Sequence, residues 1–234
     1  MSWKGRFHFG KDWAAYLGAS SDNAEHAHAA IQICLGFGEP VTLARGRTRA
    51  AVGDALYVRS CVTHRLEPIK RVLIVLVEPH SARGRDLSRL LPDDQIGHCP
   101  PEVTALINVG APLAECFREG ARDVPDQVKG IDLRLAKALD RLLAASQNNS
   151  LAKVAGEVGL SPSRLRHIAQ TQLGLPLSKY VLWRKLGMAS RALARGETLA
   201  SAAVAGGFTD QAHFTKCMRA LIGVTPGTAQ GPLS

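Results

Sequence analysis

LAKVAGEVGL, residues 151–160, and LASAAVAGGF, residues 199–208, share the pattern that decides the fold of the C-terminal half of the chain. Each has an alanine, three further residues, a glycine and a large apolar residue: Ala155, Gly159 and Leu160, then Ala203, Gly207 and Phe208. A small alanine lets two helices approach, glycine allows the positive φ that ends a helix, and the apolar residue fills the space between the helices. Each stretch therefore predicts two helices joined by a tight turn.

A hydroxyl residue comes directly after each pattern and can cap the second helix, Ser161 in the first copy and Thr209 in the second. Pro162 suits the first turn of its helix. Two such pairs in tandem predict two helix-turn-helix units, a motif whose second helix enters the major groove of DNA. The expected ranges are about 151–172 and 199–221 for the two units and about 177–194 for a linker helix between them.

The apolar positions of each second helix predict which side faces the protein. The inward positions are Leu165, Ile168/Ala169 and Gln172/Leu173 in the first helix and Phe214, Cys217/Met218 and Leu221 in the second. The residues predicted to contact DNA are Ser163, Arg164, Arg166, His167, Gln170, Asp210, Gln211, Ala212, His213, Thr215 and Lys216. Arginine can bridge guanine O6 and N7, and glutamine can pair with adenine, so these residue types suit base recognition.

The charge distribution favours a polyanionic partner for the same half of the chain. The net charge of the 234 residues is +9, and from residue 132 onward the chain has 13 Lys and Arg against 5 Asp and Glu. Nearly all of the excess positive charge therefore lies in the region of the repeated pattern. A basic segment joined to a nearly neutral one is typical of a DNA-binding module attached to another domain.

The sequence of the N-terminal part predicts a β domain. Short apolar runs predict strands at 29–37, 40–44, 54–60 and 71–78, separated by Gly, Pro and charged turns. Several short strands at close spacing indicate a β-barrel or sandwich. From about residue 84 the sequence changes to short helical patterns broken by Pro and Gly.

These observations divide the chain into three predicted parts. Residues 1–82 form a predicted β domain, residues 83–130 a helical connection, and residues 131–230 the predicted DNA-binding domain. The connection can form a dimer seam or simply cover the barrel. An amphipathic helix at 131–146 opens the last part.

Residues 150–226 resemble the DNA-binding domain of the AraC/XylS family of bacterial transcription regulators. The resemblance rests on SLAKVAGEVGLSPSRLRHI, on the run GFTDQAHF at 207–214, and on GVTP at 223–226. It implies a sequence-specific regulator that binds promoter or operator double-stranded DNA and works with RNA polymerase. It also leaves a homodimer open, and it implies an unknown small molecule or metal ion as effector.

The N-terminal part resembles the cupin-like effector domain of such regulators, through HAHAAIQICL at 26–35 and GDALYVRSCVTHRL at 53–66. The whole chain is then α+β, a cupin-like β-barrel or jelly roll followed by an all-α domain. His26, His28 and His64 resemble the triad that binds a divalent metal in enzymatic cupins, with Gln32 near the place of the usual glutamate. Three imidazoles suit Zn, Ni or Fe. Three alternatives remain open: a metal site, a small-molecule pocket without metal, or neither. Cys61 is a further candidate, as a fourth ligand or as a thiol sensor.

Two other functions compete with this hypothesis. One is a cupin-type metalloenzyme with an accessory helical domain, which the missing acidic ligand and the lack of an evident general base disfavour. The other is a DNA binder that responds to no effector. No run of about 18 apolar residues predicts a membrane span, and the N-terminus lacks the apolar stretch of a signal peptide. We therefore expect a cytoplasmic protein that is not an enzyme.

Overall fold

The computed structural model describes residues 3–10, 12–21, 23–117, 131–144 and 150–227. Its contacts divide the chain into two compact units. The first contains Met1–Asp126 together with Met218–Ser234, and the second contains Gln127–Cys217. Among the described helices, none combines the length and the apolar character needed to cross a membrane.

Antiparallel strands dominate the first unit. In chain order they are β1 (Lys4–Phe9), β2 (Trp13–Ser20), β3 (Ile31–Gly36), β4 (Val41–Arg45), β5 (Thr48–Gly53), β6 (Ala55–Val58), β7 (Arg65–Leu66), β8 (Ile69–Val77) and β9 (Ile96–His98). One sheet has the order β1-β2-β8-β3-β6-β9, and a smaller sheet has the order β5-β4-β7. The four predicted strands correspond to β3, β4, β6 and β8, and two sheets agree with the predicted β domain.

The core of the first unit explains why β8 is almost wholly apolar. β8 pairs with β2 on one side and β3 on the other. Val72, Leu73, Ile74 and Val75 are all buried, so both faces of the strand are covered. A strand that is buried on both faces has a continuous run of apolar residues rather than alternating apolar and polar residues.

The region predicted as a helical connection, 83–130, is not purely helical. Its described part holds α1 (Ala82–Leu90), β9, α2 (Pro101–Thr104) and a 3-10 turn (Leu113–Glu115). β9 adds to the edge of the large sheet by pairing with β6. Leu87, Val103 and Phe117 join the apolar core of the first unit. The segment therefore covers a face of the sheet and extends it, while 118–130 lies outside the described residues and a dimer seam stays a prediction.

The second unit is helical. Its helices are α3 (Leu133–Leu143), α4 (Leu151–Glu157), α5 (Pro162–Leu173), α6 (Leu177–Ala194), α7 (Leu199–Ala205) and α8 (Gln211–Ile222), of which α8 ends among residues grouped with the first unit. The side chains of Ser150 and Thr198 cap α4 and α7 by accepting hydrogen bonds from backbone N–H groups three residues on. These ranges agree closely with the predicted helix-turn-helix units and linker helix.

Candidate DNA-reading face and histidine cluster

The two turns have the same backbone geometry. Gly159 and Gly207 both have φ of 69°, the left-handed conformation that favours glycine. The N–H groups of Leu160 and Phe208 donate to the carbonyls of Ala155 and Ala203, each over 2.9 Å. Both alanines are fully buried. The repeated sequence pattern therefore builds the same helix end twice.

The two second helices begin differently. Ser161 caps α5 as predicted, because its hydroxyl accepts from the N–H of Arg164 over 3.1 Å. For α8 the predicted cap, Thr209, is wrong: the carboxylate of Asp210 accepts from the N–H of His213 over 2.7 Å. The second turn is thus one residue longer. Asp210, predicted as a DNA contact, also holds the start of its helix.

Burial agrees with the predicted inward faces with one exception. Leu165, Ile168, Ala169 and Leu173 are buried on α5, and Phe214, Met218 and Leu221 are buried on α8. Cys217 is half-buried, but Gln172 is exposed and accepts a hydrogen bond from the N–H of Asp132, so its inward assignment is wrong. The residues predicted to contact DNA are exposed, with Thr215 half-buried. Their contacts with DNA stay a prediction.

A groove of about 900 Å³ in the second unit brings parts of both predicted faces together. Arg166, His167 and Gln170 of α5 and His213 of α8 line it. Its other lining residues are mostly apolar: Leu142, Leu151, Pro176, Leu177, Ser178, Val181, Leu182, Lys185, Gly207 and Phe208. Residues far apart in sequence thus share one concave surface.

Two kinds of side chain in this unit have roles that the sequence reasoning missed or left open. Lys185 donates to the carbonyl of Gly207 over 3.1 Å, which ties α6 to the second turn. Lysines near helix ends commonly satisfy free carbonyls in this way. Arg166 and Lys216 have no carboxylate partner among the described residues, so their charges are available to phosphates or bases.

Backbone pairing positions the three histidines of the first unit. His26 and His64 form an antiparallel bridge, in which each N–H donates to the other's carbonyl over 3.0 and 2.9 Å. The carbonyl of His28 accepts from the N–H of Cys61 over 2.8 Å. Side-chain nitrogens of His26, His28 and His64 lie within 4.8 Å of one another. Cys61, at φ 61°, is not part of this group.

Each imidazole is oriented by a backbone carbonyl. The Nδ1 atoms of His26, His28 and His64 lie 2.8, 3.0 and 2.9 Å from the carbonyls of Ala24, Ala30 and Val62, respectively. A carbonyl can only accept, so the single proton of each neutral ring belongs on Nδ1, and Nε2 keeps its lone pair. The amide oxygen of Gln32 lies 2.9 Å from Nε2 of His28 and 3.3 Å from Nε2 of His64. The Gln32 amide nitrogen donates to Sγ of Cys34 over 3.2 Å, which keeps its oxygen turned to the histidines.

Burial makes these rings neutral. Burial, together with a smaller contribution from neighbouring histidines, lowers the pKa of His26 to about 4 and that of His64 to about 2. Burial also lowers the pKa of His28. The cluster therefore groups three neutral imidazoles, and the neutral form is the one in which imidazoles bind metal ions.

Comparison with known proteins found one family model and several solved structures that are similar to this chain. Residues 154–231 match the family model described as "Helix-turn-helix domain", which is of AraC type. The match confirms that residues 154–231 resemble the helix-turn-helix domain of AraC-type regulators. No curated protein matches the chain significantly in sequence.

Among solved structures, ToxT from Vibrio cholerae matches almost the whole chain. One ToxT structure has a TM-score of 0.58 and 11% identity, covering 94% of this chain and 98% of ToxT. Wild-type ToxT bound to an unsaturated fatty acid has a TM-score of 0.57 and 9% identity, covering 97% and 98% of the two chains. An AraC-type regulator from Chromobacterium violaceum is 26% identical, with a TM-score of 0.38, over 44% of this chain and 93% of its own. The likeness to ToxT confirms the α+β fold.

Proposed function

We propose that this protein regulates transcription by reading two neighbouring major-groove segments of promoter DNA, and that a divalent metal ion at His26, His28 and His64 is its signal. It acts in the cytoplasm, where it meets chromosomal DNA and RNA polymerase. The observation that carries the DNA part is the duplicated turn, which presents two polar helix faces from one unit. The observation that carries the metal part is the grouping of three buried imidazoles whose ring nitrogens lie within 4.8 Å of one another.

The spacing of the two units supports reading by a single chain. α6 has 18 residues, which corresponds to about 27 Å of helix. Two recognition helices that enter successive major grooves are about 34 Å apart, so a linker of this length, with the helix ends added, is of the right order. The unpaired charges of Arg166 and Lys216 and the basic second unit supply the attraction to phosphates.

The donor set of the cluster fits a metal ion. Ligands held about 2.1 Å from one metal ion lie roughly 3.0–3.4 Å from each other, and the amide oxygen of Gln32 is 2.9 and 3.3 Å from two Nε2 atoms. Without a cation these contacts place acceptors against acceptors. Histidines whose Nδ1–H donates to a carbonyl are typical metal ligands, because that hydrogen bond fixes the tautomer and the ring orientation. Imidazoles with an amide oxygen suit Zn, Ni or Fe(II).

Selection from a random double-stranded DNA library tests the DNA part. The full chain should enrich a bipartite site, and Arg166→Ala and Gln211→Ala should each relax one segment of it. Loss of a good bidentate base contact corresponds to about 1–3 kcal/mol, or roughly 5- to 150-fold in affinity for the preferred base. Arg195→Ala is the matched control, because Arg195 is an exposed arginine already paired with Glu197. A library with no enriched sequence would overturn the proposal.

Metal analysis combined with DNA titration tests the signal. The protein should bind one Zn, Ni or Fe(II) ion per chain, and His64→Gln should remove it. His98→Gln is the control, since His98 is an exposed histidine on β9. DNA affinity should then differ between the metal-loaded and metal-free protein, because an effector must favour one of two states. Equal DNA affinities of the metal-loaded and metal-free protein would favour a DNA binder that responds to no effector. An unchanged number of bound metal ions per chain in His64→Gln would exclude the histidine cluster as the metal site.

A further inference from the structure

A small cavity adjoins the histidine cluster within the first unit. Its volume is about 30 Å³. His26, His28 and Gln32 line it together with Trp3 and Asn23. Its remaining lining residues are almost all apolar: Phe7, Ala14, Ala15, Tyr16, Leu66, Ile74, Leu76 and Ile222. The cavity is therefore an apolar space with a few polar groups concentrated beside the candidate metal ligands.

Two of those polar groups have unused hydrogen-bonding capacity. The indole Nε1–H of Trp3 and the amide Oδ1 of Asn23 are buried and have no hydrogen-bond partner among the described residues. Each residue is only 8% exposed, so bulk water does not satisfy them. The hydroxyl of Tyr16, by contrast, already donates to the carbonyl of Ala19 over 2.6 Å. Two residues that line the cavity thus carry one unpaired donor and one unpaired acceptor, and leaving them unpaired costs free energy.

The volume limits what that molecule can be. One water needs roughly 10–15 Å³ of such space, so about 30 Å³ admits on the order of two waters or one small inorganic ion. Pockets for organic ligands are about 300–1,000 Å³. The cavity is smaller than these by about tenfold. An organic effector, or an organic substrate for a metalloenzyme, does not fit beside the histidines.

We propose that this cavity is an exchangeable coordination position of the metal site, sized for water or a small inorganic anion. A metal-bound water there accepts a hydrogen bond from Nε1–H of Trp3 and donates one to Oδ1 of Asn23, which uses both free groups. The position beside the histidines then takes the metal ion with at most a small inorganic ligand. This inference rests on the metal binding proposed above.

Cobalt substitution with azide as the probe tests the inference on the full chain. Co(II) at the cluster should give visible absorption bands, and azide should shift them in a saturable titration. Trp3→Phe keeps the ring and removes the N–H, so it should weaken azide binding by about tenfold or more, as expected for a hydrogen bond to a charged acceptor. Trp13→Phe is the matched control. Trp13 is equally buried but packs in the apolar core away from the cavity, and its azide affinity should not change.

The outcomes separate this inference from the proposed function. Absence of cobalt binding overturns the metal signal and this inference with it. Cobalt bands that azide does not shift leave the metal signal standing and overturn the exchangeable position alone. Equal azide affinities of Trp3→Phe and Trp13→Phe also overturn the exchangeable position. If Trp3→Phe does not fold, Asn23→Asp takes its place: the added carboxylate should weaken azide binding by charge repulsion, because azide is an anion, and unchanged azide affinity would overturn the exchangeable position.

Discussion

The close contact between α6 and α7 gives a sharp test of the second helix-turn-helix unit, through Gly206→Ala. A Cβ atom at Gly206 would lie 2.7 Å from Cβ of Ala189 and 2.8 Å from the carbonyl oxygen of Lys185, both on α6. Its φ is −79°, an ordinary value, so the cost of the alanine is purely steric. Carbon atoms pack at about 3.5–4.0 Å, so α7 has to move by roughly 1 Å.

Such overpacking costs about 1–3 kcal/mol. Urea unfolding of the full chain, monitored by the loss of helical circular dichroism, should show this as a lower midpoint of the helical transition. Gly156→Ala is the matched control, because Gly156 lies within α4 and a Cβ there would meet no atom within 4 Å beyond its chain neighbours and its own helix backbone. It should stabilise the protein by about 0.5–1 kcal/mol through helix propensity. Equal midpoints for the two variants would refute the close packing of α7 on α6.

The other predictions concern the cap, the histidines and DNA. Asp210→Ala should lower the free energy of unfolding by about 1 kcal/mol, measured by urea unfolding, and Thr209→Ala should lower it clearly less. Equal losses for the two variants would contradict the assignment of Asp210 as the cap of α8. The pKa of His26 is about 4 and that of His64 about 2 in the folded state, below the usual value of about 6.5. The unfolded state therefore binds more protons in acid, and the metal-free protein should lose stability as the pH falls from about 6.5 towards 4. The free energy of unfolding should fall by at most about 1.4 kcal/mol per pH unit for each histidine. Unfolding measured at a series of pH values should show a weaker dependence of stability on pH when His26 and His64 are both changed to Gln. DNA affinity should fall steeply as the salt concentration rises. If Lys216 contacts a phosphate, Lys216→Ala should reduce the slope of log affinity against log salt concentration by about 1, and an unchanged slope would exclude that contact.

The helical half was predictable because its signals are local. Ala155, Gly159 and Ser161 determine a helix end and the next helix start within seven residues, and the same spacing recurs later in the chain. The cap of α8 was missed because Thr209 and Asp210 are adjacent and both can cap a helix. Only the hydrogen bond to His213 distinguishes them.

The β half was less predictable because its signals are long-range. β1 and β2 combine Gly, Lys and aromatic residues, and they become strands by pairing with each other and with β8. β9 has three residues and exists through its pairing with β6. The grouping of His26, His28 and His64 came from the alternation of side chains and the cupin resemblance. The approach of Trp3 and Asn23 to the same cavity depends on the tertiary fold, and no spacing in the sequence indicates it.

The unbroken length of α6 has a consequence for the DNA sites that this protein can use. Each residue added to an α-helix rotates the next part of the chain by about 100° and advances it by 1.5 Å, so the angular phase between the two recognition helices is fixed by the number of residues in α6. Successive base pairs turn by roughly 35°. Under the proposed reading of two segments by one chain, an operator with one base pair inserted between its half-sites would be out of phase with one recognition helix, so a change in that spacing would call for a matching change in the protein.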